Sequence, residues 1–211
     1  MNNLDHYKIL ADIFRYPDKN LKNRMTDFLS LTSEQFPEHK KKADKVLDTF
    51  NSLSVRKQQE YYLKTFDVQA VCSLDIGYVL FGEDYKRAQL LVNLQSEHKA
   101  AGVDCGSELG DHLPNVLILL SKTNDPDFAE ELGFIITIQA VRFMLTKFKN
   151  VDNMYKDMLE ILLLFLQSDF KGDQLAEYAL PEQTFEGAGE FAIPSAKSVI
   201  CDTHCKKRKS F

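Results

Sequence analysis

The sequence predicts an all-α protein: a single helical bundle followed by an irregular C-terminal tail. Three observations point there. Apolar residues recur at intervals of three and four along most of the first 167 positions, the period of a helix with one buried face. No stretch alternates apolar and polar residues over strand length, and no Asn-Gly or Asp-Gly hairpin turn occurs. Helix punctuation falls between the periodic stretches, most clearly at Pro17 and at Asp125-Pro126-Asp127. With 211 residues and an apolar fraction of 44%, the chain has enough material for one buried core without disulfides. The expected division is a helical domain over residues 1–167 and a flexible tail over 168–211.

Leu4, Tyr7, Ile9, Leu10, Ile13 and Phe14 form the first amphipathic segment. It is expected to stop near Tyr16, because Pro17 disfavours helical geometry in the residue before it. A second helix is expected to start around Asp18. Ala43, Val46, Leu47 and Phe50 mark a further helix, and Tyr61, Tyr62, Leu63 and Phe66 are expected to begin another apolar face. From Tyr85 to His98 the reading is again helical, with Ala88, Leu91, Val92 and Gln95 on one side. Asp125 caps the next helix with Pro126 at its first position. The interior of that helix, Leu132 to Met144, is apolar on more than one side and reads as central and buried. Asp152 opens the last helix, which carries Met154, Met158, Leu159, Ile161, Leu162, Phe165 and Leu166.

Beyond Gln167 the character changes: glycines and prolines appear, the period fades, and a basic run follows at Lys206, Lys207, Arg208 and Lys209. Acidic residues outnumber basic ones, 31 to 26, which argues against non-specific attraction to nucleic-acid phosphates and suits a basic partner. Met1 to Asp5 lacks the basic stretch and apolar run of a signal peptide. The longest apolar run, Ile161 to Leu166, is far short of the roughly 20 residues of a membrane helix. The expectation is a cytoplasmic protein without stable membrane insertion. Cys72, Cys105, Cys201 and Cys205 are too few and too unevenly spaced for a disulfide framework and read as thiols.

Enzymatic motifs are missing. The chain has no Gly-x-x-x-x-Gly-Lys-Ser/Thr loop, no Gly-x-Gly-x-x-Gly fingerprint and no His-Glu-x-x-His helix. Cys201, His204 and Cys205 offer three metal-ligating side chains within five residues, part of a zinc site that lacks a nearby fourth ligand. A solvated tail is the other reading of that cluster.

The densest stretch is Gly102 to Leu120. Glycines at 102, 106 and 110 break the preceding helix. Asp111 is then placed to cap a new helix, with Pro114 in its first turn and Val116 to Leu120 entering the core. Glu108, Asp111 and His112 therefore gather at a helix entrance, where polar groups serve structure or meet a ligand.

Glu108-Leu-Gly-Asp-His-Leu-Pro114 resembles the Glu-Leu-Pro-Asp-His-Leu-Pro signature of the nitrate reductase delta-subunit chaperones, the NarJ-like branch of the TorD and DmsD group. Tyr62-Leu-Lys-Thr-Phe66-Asp67, then Cys72-Ser-Leu, Tyr78 and Gly82, are similar to a second block of that branch, and the Tyr16-Pro17-Asp18 turn fits as well. The resemblance runs from about residue 5 to about residue 168. Gly110 departs from it by replacing proline, and the Cys201–Cys205 tail has no counterpart. The resemblance implies a TorD-like helical bundle and a non-enzymatic role without a cofactor of its own: binding the N-terminal leader of a molybdoenzyme catalytic subunit while molybdopterin is inserted. A homodimer is left open.

Such a task needs an apolar groove for an amphipathic leader helix and an acidic rim for its arginines. The candidate rim is Asp67, Glu108 and Asp111; the candidate groove is Tyr62, Phe66, Leu109 and Leu113, with His112 and Pro114 beside it. Each has a plainer reading. Tyr62 and Phe66, four apart, are a common core pair. Asp111 works equally as a helix cap, and its adjacency to His112 does not make a catalytic dyad, because neighbouring helical side chains diverge. A permanent structural subunit of an oxidoreductase complex is the rival non-enzymatic role.

Overall fold

The computed structural model describes residues 4–68, 70–149 and 152–172, and over these the protein is all-α, with no strand among the described residues. The C-terminal Cys/His cluster and basic end lie outside the described residues.

Helices α1 (His6–Asp12), α2 (Leu21–Gln35) and α3 (Lys40–Asn51) open the fold, with a single 3₁₀ turn at Pro37–His39. α1 ends earlier than Pro17 requires: Ile13 and Phe14, both fully buried, turn the chain into the core in a tighter bend closed by Phe14 N–H to Ala11 C=O. Asp18 does not start α2. Its carboxylate accepts from the Asn20 N–H at 2.8 Å and from Arg24 at 2.8 Å, a local turn that competes with helix and delays α2 to Leu21.

α4 (Val55–Phe66) is capped by Ser54, so Tyr61 to Phe66 close this helix rather than begin one. α5 (Ile76–Phe81) and α6 (Tyr85–Ala100) follow, α6 being capped by Asp84, which accepts from the Lys86 N–H at 2.9 Å. The buried side of α6 is Leu90, Leu94 and His98. The face expected from Ala88, Leu91, Val92 and Gln95 is mostly turned outward, because a helix of low apolar contrast offers several equally apolar stripes and packing selects among them.

α7 (Leu113–Lys122) is nearly all buried and packs on α1. After it comes α8 (Pro126–Glu130), with Asp125 accepting from the Asp127 and Phe128 N–H groups at 3.1 Å each, the capping expected from the sequence. The long central helix is interrupted. Residues Glu131–Thr137 are π-helical before α9 (Ile138–Lys147) resumes the ordinary winding. The widened turn brings Gly133 against Phe170 so closely that a Cβ there would lie 2.4 Å from the ring.

α10 (Met154–Asp169) packs against α3 and α9 and buries the apolar face that runs from Met154 to Leu166. Asn153, not Asp152, caps it: its Oδ1 accepts from Tyr155 N–H at 2.9 Å, while its amide donates to Thr65 Oγ1 at 3.0 Å. The helix runs on through Ser168 and Asp169, and Phe170 is buried, so the helical packing passes Gln167. Asp169 ties the two ends of the core together by accepting from Tyr7 Oη at 2.9 Å, with His6 Nε2 at 2.8 Å.

Two outcomes test this packing. Gly133→Ala forces its new methyl into the Phe170 ring and is expected to cost about 1–3 kcal/mol in denaturant unfolding, the usual range for overpacking; an unchanged midpoint contradicts the close approach. Burial, followed by Asp125 and Asp127, raises the Glu131 carboxyl to about 7. A carboxyl raised in the folded state binds more protons there than in the unfolded chain, so stability falls as pH rises from the ordinary carboxylate range through about 7. Glu131→Gln is therefore expected to raise the melting temperature at pH 8 and to leave it near wild type at pH 4.

Candidate functional site

The geometry of the site begins with a backbone join. Leu74 to Ile76, ahead of α5, meets Asp111 to Leu113, ahead of α7, through Ile76 N–H to Asp111 C=O at 2.9 Å and Leu113 N–H to Leu74 C=O at 2.8 Å. This isolated antiparallel bridge aligns two helix entrances.

Arg87 of α6 fastens it. Its Nε donates to Asp111 Oδ2 at 2.9 Å and its terminal nitrogen to Asp75 Oδ2 at 3.1 Å, while its guanidinium carbon lies 5.3 Å from the centre of the Tyr78 ring. Burial works against the Arg87 charge, and Asp111, then Asp75 and Glu83, outweigh it, so the pKa stands above its ordinary value. Asp111 is wholly buried, and Gly77 makes room for it: a Cβ at Gly77 would stand 2.6 Å from Asp111 Oδ2. Asp111 thus pairs with Arg87 instead of capping α7, whose N-cap position is His112 and lacks a side-chain cap.

His112 Nδ1 donates to Asp75 Oδ1 at 3.0 Å. That hydrogen bond is the largest influence holding the Asp75 carboxyl below its ordinary value; burial opposes it, and the charges of His112 and Arg87 assist it.

The loop before α7 is shaped by Gly102 and Gly106, whose φ values of 61° and 62° suit glycine, and by Asn115, whose amide donates to Leu109 C=O at 3.0 Å and Cys105 C=O at 3.3 Å. Gly110 has ordinary backbone geometry, with room for a side chain at van der Waals distance from Leu94 and His98.

Tyr62 is the point where these parts meet. Its hydroxyl donates to Phe14 C=O at 3.3 Å, and its ring packs edge-on against Tyr16, Phe66 and Tyr155. Burial first, then Glu108, Asp67, Asp75 and Tyr16, push the Tyr62 phenol well above its ordinary value. Carboxylates from three separate segments therefore act on this one phenol.

Among the residues expected from the sequence, Asp67 and Glu108 are exposed, and Leu109 is 49% exposed beside Glu108. Tyr62 and Phe66 are nearly buried, and Leu113, Pro114 and Asp111 belong to the core. His112 is mostly covered. The sequence did not single out Asp75, Gly77, Arg87 or Asn115, and Tyr16 stood out only as part of the Tyr16-Pro17-Asp18 turn. Asn115 carries a signal, as a lone amide inside the apolar run Leu113 to Leu120; Arg87 carries none, because the stripes of α6 differ little in polarity. Exposed apolar side chains neighbour the acidic ones: Tyr16 against Tyr62, Val68 after Asp67, Leu109 after Glu108, and Tyr78 under Arg87. Among the described residues no group of His, Cys, Asp and Glu is placed to hold a metal ion, and no helix is long and apolar enough to cross a membrane.

Compared with characterised proteins, the chain aligns over 173 residues with the nitrate reductase molybdenum cofactor assembly chaperone NarJ of Escherichia coli, in strain K12 and in O157:H7. Identity is 24% in both, covering 80% of this chain and 72% of each relative. The chain is similar to the NarJ chaperones. No protein-family model matches it. The NarJ similarity spans most of the chain, and the all-α architecture agrees with the fold that the motif resemblance implied.

Replacing Arg87 by Met is expected to leave Asp111 buried without its partner, destabilising the fold by about 3 kcal/mol, the lower end for breaking a buried ion pair. Denaturant unfolding reads this directly, and a loss below about 0.5 kcal/mol, the scale of a surface change, contradicts the clamp.

Proposed function

We propose that this protein is an assembly chaperone for the catalytic subunit of a respiratory molybdoenzyme of the nitrate reductase type, acting in the cytoplasm without covalent chemistry. It binds the subunit's N-terminal leader and holds the subunit while the molybdenum cofactor is inserted. The observation that carries this reading is the exposure of Asp67 beside Val68 and of Glu108 beside Leu109, with Tyr16 exposed against the Tyr62 ring. Similarity to NarJ over most of the chain supports the class of role and the kind of partner.

The chemistry of the surface fits a basic amphipathic segment. Arginine pairs with exposed carboxylates and lies well against aromatic faces, and the apolar side of a leader helix is matched by Tyr16, Leu109 and Val68. Asp67 and Glu108 are the contacting acids in this proposal. Tyr62 and Phe66 form the floor, while Asp111, His112, Leu113 and Pro114 hold the loop in place. Helix α4 presents Asp67 and the loop before α7 presents Glu108, so the leader lies across the seam between them.

Titrating the purified protein with a leader peptide by calorimetry tests this. Asp67→Asn and Glu108→Gln are each expected to weaken binding about tenfold, with steep salt dependence, while thermal stability stays within about 0.5 kcal/mol of wild type. Absence of binding to any molybdoenzyme leader, together with retention of the protein in the mature enzyme complex, favours the structural-subunit role instead.

A further inference from the structure

The turn from Cys105 to Leu109 carries the exposed Glu108 and Leu109 and lies in a stretch with glycine at 102, 106 and 110. So many glycines give the unrestrained chain many conformations, and holding one of them takes added contacts. α7 supplies them from within. Asn115, only 2% exposed, sits inside the apolar run Leu113 to Leu120, where a buried amide costs stability unless it is hydrogen-bonded. Its side-chain amide donates to Leu109 C=O at 3.0 Å and to Cys105 C=O at 3.3 Å, the two ends of the turn. Among the described residues, these are the hydrogen bonds that reach residues 105–109 from inside a helix. Each carbonyl also has a backbone donor: His112 N–H for Leu109 at 3.1 Å and Glu108 N–H for Cys105 at 3.3 Å. The amide therefore does not rescue orphaned carbonyls; it ties the turn to α7. His98 of α6 backs it, with Nε2 3.3 Å from Asn115 C=O, so α6, α7 and the turn meet at one buried polar point.

We propose that Asn115 is a positioning residue for leader recognition, holding Glu108 and Leu109 in the arrangement that a basic amphipathic segment meets. This role rests on the leader-binding proposal above. Glu108 lies between the two clamped carbonyls, so its backbone is fixed on both sides while its side chain stays exposed. A turn held in place beforehand has less freedom to lose when the leader binds, which is how a buried residue that touches no leader atom raises affinity. The same two bonds add little to the stability of the fold, because both carbonyls keep their backbone donors when the amide is removed. Asn115 therefore acts on binding more than on folding, the reverse of what a plain core residue does.

The test uses the full chain with Asn115→Ala, with Glu108→Gln and with both, titrated with a molybdoenzyme leader peptide by calorimetry, while hydrogen–deuterium exchange of the turn is followed without peptide. Asn115→Ala is expected to speed exchange at residues 105–109 several-fold and to weaken leader binding about five- to tenfold, with a melting temperature close to wild type. Asn115→Leu, which removes the tie and fills the space, is expected to do the same. Because Asn115 acts through the turn that carries Glu108, the doubly substituted chain is expected to lose much less affinity than the product of the two single losses. Unchanged exchange at residues 105–109 in both Asn115 variants, or a double loss equal to that product, overturns the proposal. A wild type that binds no leader peptide, with faster turn exchange in the Asn115 variants, overturns the leader reading and with it this role, and shows that the tie itself is sound.

Discussion

The ion pair between Arg87 and the buried Asp111 organises the part of this molecule that bears on function. A fully buried carboxylate is costly unless a charged partner and a fitted space receive it. Arg87 supplies the charge, Gly77 supplies the space, and Asp75 takes a second guanidinium nitrogen. Three segments distant in sequence, the entrance to α5, the body of α6 and the entrance to α7, are thereby fixed to one another. The backbone bridge between Leu74–Ile76 and Asp111–Leu113 closes the same joint.

From that joint the surface chemistry follows. With Asp111 neutralised inside and Asp75 shared between Arg87 and His112, the exposed charge of the site rests on Asp67 and Glu108. Their charges bear on Tyr62, part of an aromatic cluster that reaches from exposed Tyr16 through Tyr62 and Phe66 to the buried Tyr155. The floor is stiff because α10, capped by Asn153 and bonded through it to Thr65 of α4, braces the helix that carries Tyr62. A rigid apolar floor with two outward acids suits recognition of a basic segment, and it needs no group positioned for bond making.

The helical architecture was legible in the sequence because the 3.6-residue period dominates it, and caps such as Asp125 follow from local hydrogen bonding alone. Boundaries failed where side chains competed with the backbone, as at Asp18, or where tertiary packing forced a turn, as at Ile13 and Phe14. The π-helical turn at Glu131–Thr137 has no local signature, since it exists to seat Phe170, 37 positions beyond Gly133. In the site, Glu108 and Asp67 were readable from the motif blocks. Asp111 was readable as important but not as buried, because its partner Arg87 is distant in sequence and lies on a face of α6 that periodicity alone did not identify.

In the proposed function a leader seats across the seam between the end of α4 and the loop before α7. Hydrogen–deuterium exchange of the full chain, with and without a saturating leader peptide, tests it most directly. The account predicts slowed exchange confined to residues 62–68, 73–78 and 105–113, with α3 and α10 unchanged. Protection on α3 or α10 with none at those three segments contradicts it.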